Sequence, residues 1–395
     1  MMDRAEFLER DHRDPLAELR DQFKLEEGLV YLDGNSLGAM PRAAPRRVAE
    51  VVEREWGRGL IGSWESAGWL EAPQRLGDKV GRLIGAQPGE VLVSDSTSVN
   101  LYKLVSAGLD LRPGRNVVLT ERGNFPNDLY VAGGAVSQHS RAQLRIVERE
   151  DLGAALTDDV AVLLLTHVDY VSGYIHDAEG LTRAAHQAGA VVLWDLSHSA
   201  GAVPVDLGAW GADLATGCTY KYLCGGPGAP AYLYVAAAIQ EQAVSPVPGW
   251  FGHARPFNFD PEYEPASGVR RFLAGTPPVL ALAGVECALD LWLEVDLAAA
   301  RQKSMALTQA FIELVSERCP AATVLSPRDP ERRGSQVSLR HPGAAAAIQA
   351  MAARGVVGDF RPPDAMRFGF SALYTRFVDV WDAVDVLVEV IGAPT

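Results

Sequence analysis

Ala190-Val191-Val192-Leu193-Trp194-Asp195-Leu196-Ser197-His198-Ser199-Ala200-Gly201 is the stretch on which the fold turns. An uninterrupted apolar run stops on a carboxylate, the pattern of a parallel strand buried on both faces. In open α/β sheets ligands collect beyond the carboxyl ends of such strands, which places Asp195 at the mouth of a site. About one helix-turn-strand unit later comes Gly217-Cys218-Thr219-Tyr220-Lys221-Tyr222-Leu223-Cys224-Gly225-Gly226-Pro227-Gly228. Its lysine stands among small and aromatic side chains, followed by glycines that let backbone pass close to a ligand. Partial desolvation makes such an amine a usable Schiff-base nucleophile.

A strand-end carboxylate and a lone lysine in an apolar pocket answer two requirements of pyridoxal 5'-phosphate. The carboxylate keeps the pyridine nitrogen protonated, so that the ring draws electrons, and the lysine tethers the aldehyde. Taken singly, Asp195 reads as a strand cap and Lys221 as a surface residue. Together, with His198 and Tyr220 beside them, they read as catalytic. The stretches 194–201 and 218–223 resemble those of kynureninases, pyridoxal-phosphate enzymes of the aspartate-aminotransferase fold type. The Tyr220-Lys221 pair is the discriminating feature, because the related cysteine desulfurases usually place a histidine before their lysine.

The resemblance extends along nearly the whole chain. It implies an α/β protein of fold type I: a mostly parallel central sheet with helices on both faces, plus a smaller C-terminal α+β domain. On this reading residues 1–50 are an N-terminal segment packing with the small domain, 51–285 the large cofactor-binding domain, and 286–395 the small domain. A chain of 395 residues is long enough for two such cores. Apolar residues at 48% and charged residues at 22% are those of a soluble globular protein. The net charge of −14 argues against nucleic acid as a partner. No apolar run approaches membrane-spanning length and the start, Met1-Met2-Asp3-Arg4-Ala5-Glu6, is too polar for a secretory signal, so a cytoplasmic protein is expected. The four cysteines form no CxxC pair and the eight histidines no HxxxH or HExxH spacing, and no metal site is expected. Cys218 and Cys224 read more readily as buried, inert thiols than as reactive ones.

Working outward, the spacing of Phe7, Leu8, Leu16, Leu19 and Phe23 predicts one or two short amphipathic helices before Val30-Tyr31-Leu32-Asp33-Gly34-Asn35-Ser36-Leu37-Gly38, a strand running into a turn. Kynureninases carry a matching Tyr-Leu-Asp-Gly-Asn-Ser-Leu-Gly, which makes Asn35 and Ser36 candidate substrate contacts; a purely structural turn fits the residues equally well. A helix is expected over 41–56. Trp56, Trp64 and Trp69 are too many tryptophans for a solvated loop. They read as an aromatic wall for a substrate, with Trp64 the candidate contact, or as an intersubunit surface.

The strand Val91-Leu92-Val93 runs into Ser94-Asp95-Ser96-Thr97-Ser98, where a helix opens with free amides and hydroxyls suited to a phosphate, or with an ordinary cap. By resemblance Thr97 and Ser98 fall on the phosphate turn. In Asn124-Phe125-Pro126-Asn127-Asp128, Phe125 matches the aromatic that covers the pyridine face and Asp128 a second cofactor-side carboxylate, with Pro126 and Asn127 completing the cofactor-binding segment; Asn127 stands where many relatives have Ser or Thr. Thr166, at the end of another apolar strand, corresponds to a further cofactor contact. Trp250 matches the tryptophan that reaches the phosphate, often from the neighbouring subunit. Thr276 takes a phosphate-contact position where several relatives have Asn. Arg367, on a strand among apolar neighbours, needs a carboxylate partner; on its own chemistry a structural Asp or Glu serves as well, and the family places its substrate-carboxylate arginine here.

The implied reaction is the pyridoxal-phosphate-dependent hydrolysis of L-kynurenine, or 3-hydroxykynurenine, to anthranilate, or 3-hydroxyanthranilate, and L-alanine, in tryptophan catabolism or NAD biosynthesis. Lys221, Tyr220 and Asp195 are the catalytic candidates, as tether and base, proton relay, and keeper of the ring proton. His198 is expected to tune the cofactor by hydrogen bonding. A homodimer is expected from the fold type. The rival readings are a cysteine desulfurase or epimerase, a non-catalytic binding protein, which would be expected to lose Lys221 or Arg367, and a nucleotide-dependent oxidoreductase, which would need a GxGxxG turn after the first strand.

Overall fold

The structure, a computed structural model, describes residues 3–392; Met1, Met2 and residues 393–395, within the outermost expected units and the polar start, lie outside the described residues. Val191–Asp195 is the middle strand of a seven-stranded sheet. In spatial order the strands are Val91–Val93, Tyr232–Val235, Leu214–Gly217, Val191–Asp195, Val160–Thr166, Val117–Glu121 and Gln143–Val147. Tyr232–Val235 runs antiparallel to both its neighbours and the other pairings are parallel. The continuous apolar runs have the cause the sequence suggests: helices cover both faces. Thr97–Asp110 and Pro126–Gln138 pack on one face, against Val118, Val162 and Leu193. Ala72–Ile84, Ala178–Ala188 and Val279–Trp292 pack on the other, against Val117, Leu163 and Val192. Each fully buried Val or Leu contributes about 1.5–3 kcal/mol, and every residue from Val160 to Leu165 is completely buried.

A second sheet of four strands, Thr323–Val324, Gln336–Arg340, Ala365–Gly369 and Asp359–Arg361 in spatial order, is antiparallel throughout. It shares a core with the helices Leu297–Arg318, Ala344–Ala352 and Phe377–Gly392, and with Phe7, Val30 and Leu32 from the start of the chain. Phe7 meets Trp381 at 5.5 Å, and the Asp11 carboxylate caps the last helix by accepting the amides of Phe377 (2.6 Å) and Val378 (3.0 Å). Val30–Tyr31 pairs in parallel with Val356–Val357.

One element differs from expectation. The helix over 41–56 is α-helical only from Ala44 to Glu50 and then widens into π-helical turns over Val51–Gly59. Gly57 and Gly59 weaken helix propensity there, and the Ser63 hydroxyl donates to the Glu55 carbonyl at 2.6 Å. The strand Tyr232–Val235 starts only after Pro230, which has no amide to give a ladder. Among the described residues no helix is long and apolar enough to cross a membrane.

Candidate active site

Parallel pairing puts Thr166, Asp195 and Thr216 in register on three adjacent strands at their carboxyl ends. All three are buried. Asp195 accepts the Ser197 amide at 2.7 Å, which turns the chain sharply after the strand. Facing it is Asp128, fully buried in the first turn of the helix that Pro126 opens. Burial, and next the Asp195 charge, push the Asp128 carboxyl well above the usual carboxylate range, so the two acids hold a proton between them. Asp128 Oδ1 has no protein hydrogen-bond partner. Thr166 Oγ1 donates to Asn124 Oδ1, and Asn124 Nδ2 donates to Thr120 Oγ1 at 3.0 Å, locking the strand ends to the Phe125 turn.

The helix Thr97–Asp110 aims its N-terminus into the same cavity. Ser96 caps it by accepting the Val99 amide at 3.4 Å, which leaves the amides of Thr97 and Ser98 without intrahelical acceptors. Ser98 Oγ donates to Asn127 Oδ1 at 3.1 Å. Behind the turn, the completely buried Lys103 reaches Asp95 Oδ2 (2.5 Å) and the Phe272 carbonyl (2.6 Å), holding Asp95 at a φ of 52°.

Lys221 Nζ lies 5.9 Å from the ring centroids of both Phe125 and Tyr220. Tyr170 meets Phe125 edge-on at 5.1 Å. The lysine loop is braced from beneath by the 30–38 segment: the Gly38 amide donates to the Tyr220 carbonyl at 2.8 Å, and a Cβ at Gly38 would sit 2.3 Å from the Lys221 carbonyl oxygen. That close approach is why glycine stands there. Burial pushes the Tyr220 phenol above its ordinary range, and pushes the Cys224 thiol up to about 12. Cys218 and Cys224 are both buried.

Together these residues line a cavity of about 350 Å³ that holds Thr97, Ser98, Phe125, Asn127, Asp128, Thr166, Asp195, His198, Tyr220 and Lys221. Pro126 sits beside it as the helix opener. A larger cleft of about 590 Å³ lies behind the lysine loop, but its lining is apolar apart from Lys24, Tyr31 and Cys224 and holds no acid or histidine, so the chemistry belongs to the smaller cavity.

Arg367 is buried in the small sheet, outside the lining of that cavity, and already engaged. Its Nε donates to Asp359 Oδ1 at 2.7 Å, its Nη2 to Asp359 Oδ2 and Ser36 Oγ, and its Nη1 to the Tyr170 carbonyl. Ser36 thus belongs to the arginine's surroundings, donating to Asp359 Oδ2 at 2.7 Å. Asn35 is fully buried against Gly369 with both amide atoms unpartnered. The remaining candidates are elsewhere in the chain. Trp64 packs on Trp69 and Phe251, each at 5.6 Å, and with Trp56 and Thr276 lines a separate cavity of about 490 Å³. Trp250 stacks on Phe259 and meets Phe251 and Phe257 edge-on.

Sequence reasoning missed Tyr170, Asp359 and Gln336. The first could be found from its place just beyond the Thr166 strand. The other two need strand pairing: Asp359 faces Arg367 in register across a hairpin, and Gln336 lies in a distant part of the chain.

The donor set fits pyridoxal phosphate. An unpartnered buried acid oxygen and a proton-holding carboxyl pair suit the ring nitrogen, the open helix N-terminus suits the phosphate, the Phe125 ring offers a stacking face, and Lys221 supplies the amine. A model of the kynureninase C-terminal domain matches residues 300–387. The chain is 51% identical to a kynureninase of Pseudomonas fluorescens over 403 residues, covering 100% of this chain and 97% of the relative. It is also 51% identical to a kynureninase of Burkholderia pseudomallei over 399 residues, covering 99% and 96%. Among solved structures it is similar to a cysteine desulfurase from Thermococcus onnurineus (TM-score 0.82, 19% identity, 95% of this chain and 98% of the other). A cysteine desulfurase from Escherichia coli is comparable (TM-score 0.79, 19% identity, 99% of both chains). At that identity the likeness shows the fold, that of pyridoxal-phosphate enzymes of fold type I.

Proposed function

The chain belongs to the kynureninase family, and from that premise we propose how its side chains divide the work. The protein is a hydrolase of carbon–carbon bonds in ketonic substrates: with pyridoxal phosphate it splits L-kynurenine and water into anthranilate and L-alanine, a step of tryptophan catabolism. The desulfurase alternative is not favoured; Cys287 lies within the helix Val279–Trp292 and Cys319 is buried, so neither late cysteine sits on a mobile loop. The observation that carries the site assignment is that Lys221 and the Asp128–Asp195 pair share one cavity with the open amides of Thr97 and Ser98.

When bound, the cofactor supplies an aldehyde for amines and a ring that accepts electrons from the bonds being broken. Lys221 would hold that aldehyde, and its amine is the base for the proton on the substrate Cα. The Asp128–Asp195 pair keeps a proton at the ring nitrogen. The amides and hydroxyls of Thr97 and Ser98 would bind the phosphate, and Phe125, propped by Tyr170, would offer its face to the ring. Tyr220, a neutral phenol that burial pushes further above its ordinary range, is the donor that completes the alanine side chain. Arg367 orients the substrate α-carboxylate, with Asp359 setting its fork. Water adds at the ketone carbon.

Two copies of the chain form the working unit in this reading. The exposed Trp56 lines the Trp64–Thr276 cavity, and the exposed Leu60 and Ile61 follow it closely in the chain; a second copy would bring its Trp250 and Thr276 to the phosphate. The large unit over 51–285 carries the cofactor, and the small unit over 286–395, with the N-terminal segment, carries the arginine. The cytoplasm is the compartment proposed.

The test of the site is borohydride reduction of the loaded protein followed by peptide mapping. A pyridoxyl group on Lys221, reduced in yield when L-kynurenine is added first, is expected. A pyridoxyl group on another residue would overturn the assignment.

A further inference from the structure

His198 lines the Lys221 cavity, and one of its ring nitrogens is committed elsewhere: Nδ1 lies 2.9 Å from Gln336 Oε1. Gln336 belongs to the first residue position of the strand Gln336–Arg340, in the small sheet, and is 1% exposed. Its amide cannot turn over without loss. The two Nε2 hydrogens are spent on the carbonyls of Tyr170 (3.0 Å) and Val171 (3.2 Å), and a flipped amide would set its oxygen against those two acceptors. The oxygen that remains toward His198 only accepts, so Nδ1 has to donate. In a neutral imidazole the other nitrogen then carries a lone pair.

We infer that Gln336 is a positioning residue for His198, fixing its proton on Nδ1 and presenting Nε2 to the cavity as a hydrogen-bond acceptor. The neutral state is favoured by the surroundings: burial first, then the charges of Lys221 and Arg367, hold His198 well below the usual histidine range. His198 therefore receives a hydrogen bond from whatever faces it, a hydroxyl, an amine or a water, and does not stabilise an anionic oxygen by donation. This sharpens the expectation that His198 tunes the cofactor: the direction of the bond is assigned. Gln336 also joins three parts of the site. The Tyr170 carbonyl it engages is the one that Arg367 Nη1 engages, and the Tyr170 ring props Phe125. Its mechanistic meaning rests on the cavity being the active site, whereas the proton's position is a property of the chain itself.

The experiment is nitrogen-15 NMR of the full-length chain labelled at histidine, with the His198 signals identified by their loss in His198→Gln. The wild type is expected to show a protonated Nδ1 and an unprotonated Nε2; a proton on Nε2, alone or with Nδ1, overturns the proposal. Gln336→Leu is expected to lose the Nδ1 preference and to bind pyridoxal phosphate about tenfold more weakly. Gln336→Met, close to glutamine in length and volume, is the second variant should the leucine form not fold. Like leucine it offers Nδ1 no oxygen to donate to, so the Nδ1 preference is expected to be lost with it as well. Unchanged His198 signals in both variants would overturn the proposal. Failure of kynurenine turnover with the Nδ1 proton in place would sink the functional reading and leave this one standing.

Discussion

Arg367 and Asp359 stand in register on adjacent antiparallel strands, with the guanidinium forked onto the carboxylate through Nε at 2.7 Å and through Nη2. The arginine side chain is 1% exposed and that of the aspartate 15%. The pair is therefore desolvated, and removing one member strands a charge. Arg367→Ala is expected to lower kcat/KM for L-kynurenine by about 10- to 100-fold, mainly through KM. Asp359→Ala, which leaves a buried guanidinium unpaired, is expected to cost about 3 kcal/mol of stability. Steady-state kinetics and thermal melts check both, and an unchanged kcat/KM in Arg367→Ala would remove it as the carboxylate clamp.

Asp128 and Asp195 are chemically alike but differently placed, one in the first turn of a helix and the other at a strand end. Burial, and next the Asp195 charge, favour the neutral form of Asp128, so Asp128→Asn should keep kcat within about tenfold, whereas Asp195→Asn should lower it by more than about 100-fold. Equal losses in the two variants would contradict that division.

Asp33 carries a pH signature. Burial, and next the Asp359 charge, raise its carboxyl to about 6. A folded-state value above the unfolded one makes ionised Asp33 a cost to the fold at high pH, relieved as pH falls through about 6 and gone below about 4. Asp33→Asn should therefore raise the melting temperature at pH 8 and by progressively less down to pH 5. A gain that grows toward acid would have the wrong sign.

The proposed dimer can be read by complementation. Lys221→Ala lacks the amine but has an intact Trp250 and Thr276; the double variant Trp250→Ala, Thr276→Ala has the reverse. Neither should turn over substrate well alone, and co-refolded mixtures should regain activity, because one hybrid site has a full set. No recovery in mixtures shown to contain hybrids would place both residues outside the neighbour's site.

The strands that carry Thr166 and Asp195 were legible because each is a continuous apolar run ending on a polar residue, a signal held within a few neighbours in sequence. Lys221 was legible as a lone amine among small and aromatic groups. Asp359 and Gln336 were not, since their roles exist only once strands far apart in the chain pair or pack, bringing Gln336 138 residues along the chain to His198. Local periodicity says which face a side chain takes, not whose face it meets. The widened helix over Val51–Gly59 was hidden for the same reason: its glycines permit a change of pitch without dictating it.

The most direct measurement is turnover of L-kynurenine by the purified, pyridoxal-phosphate-loaded protein, with 3-hydroxykynurenine run alongside. Anthranilate and L-alanine released in equal amounts, with the release abolished in Lys221→Ala, is the predicted result. A fully loaded protein that leaves both substrates intact would contradict the account.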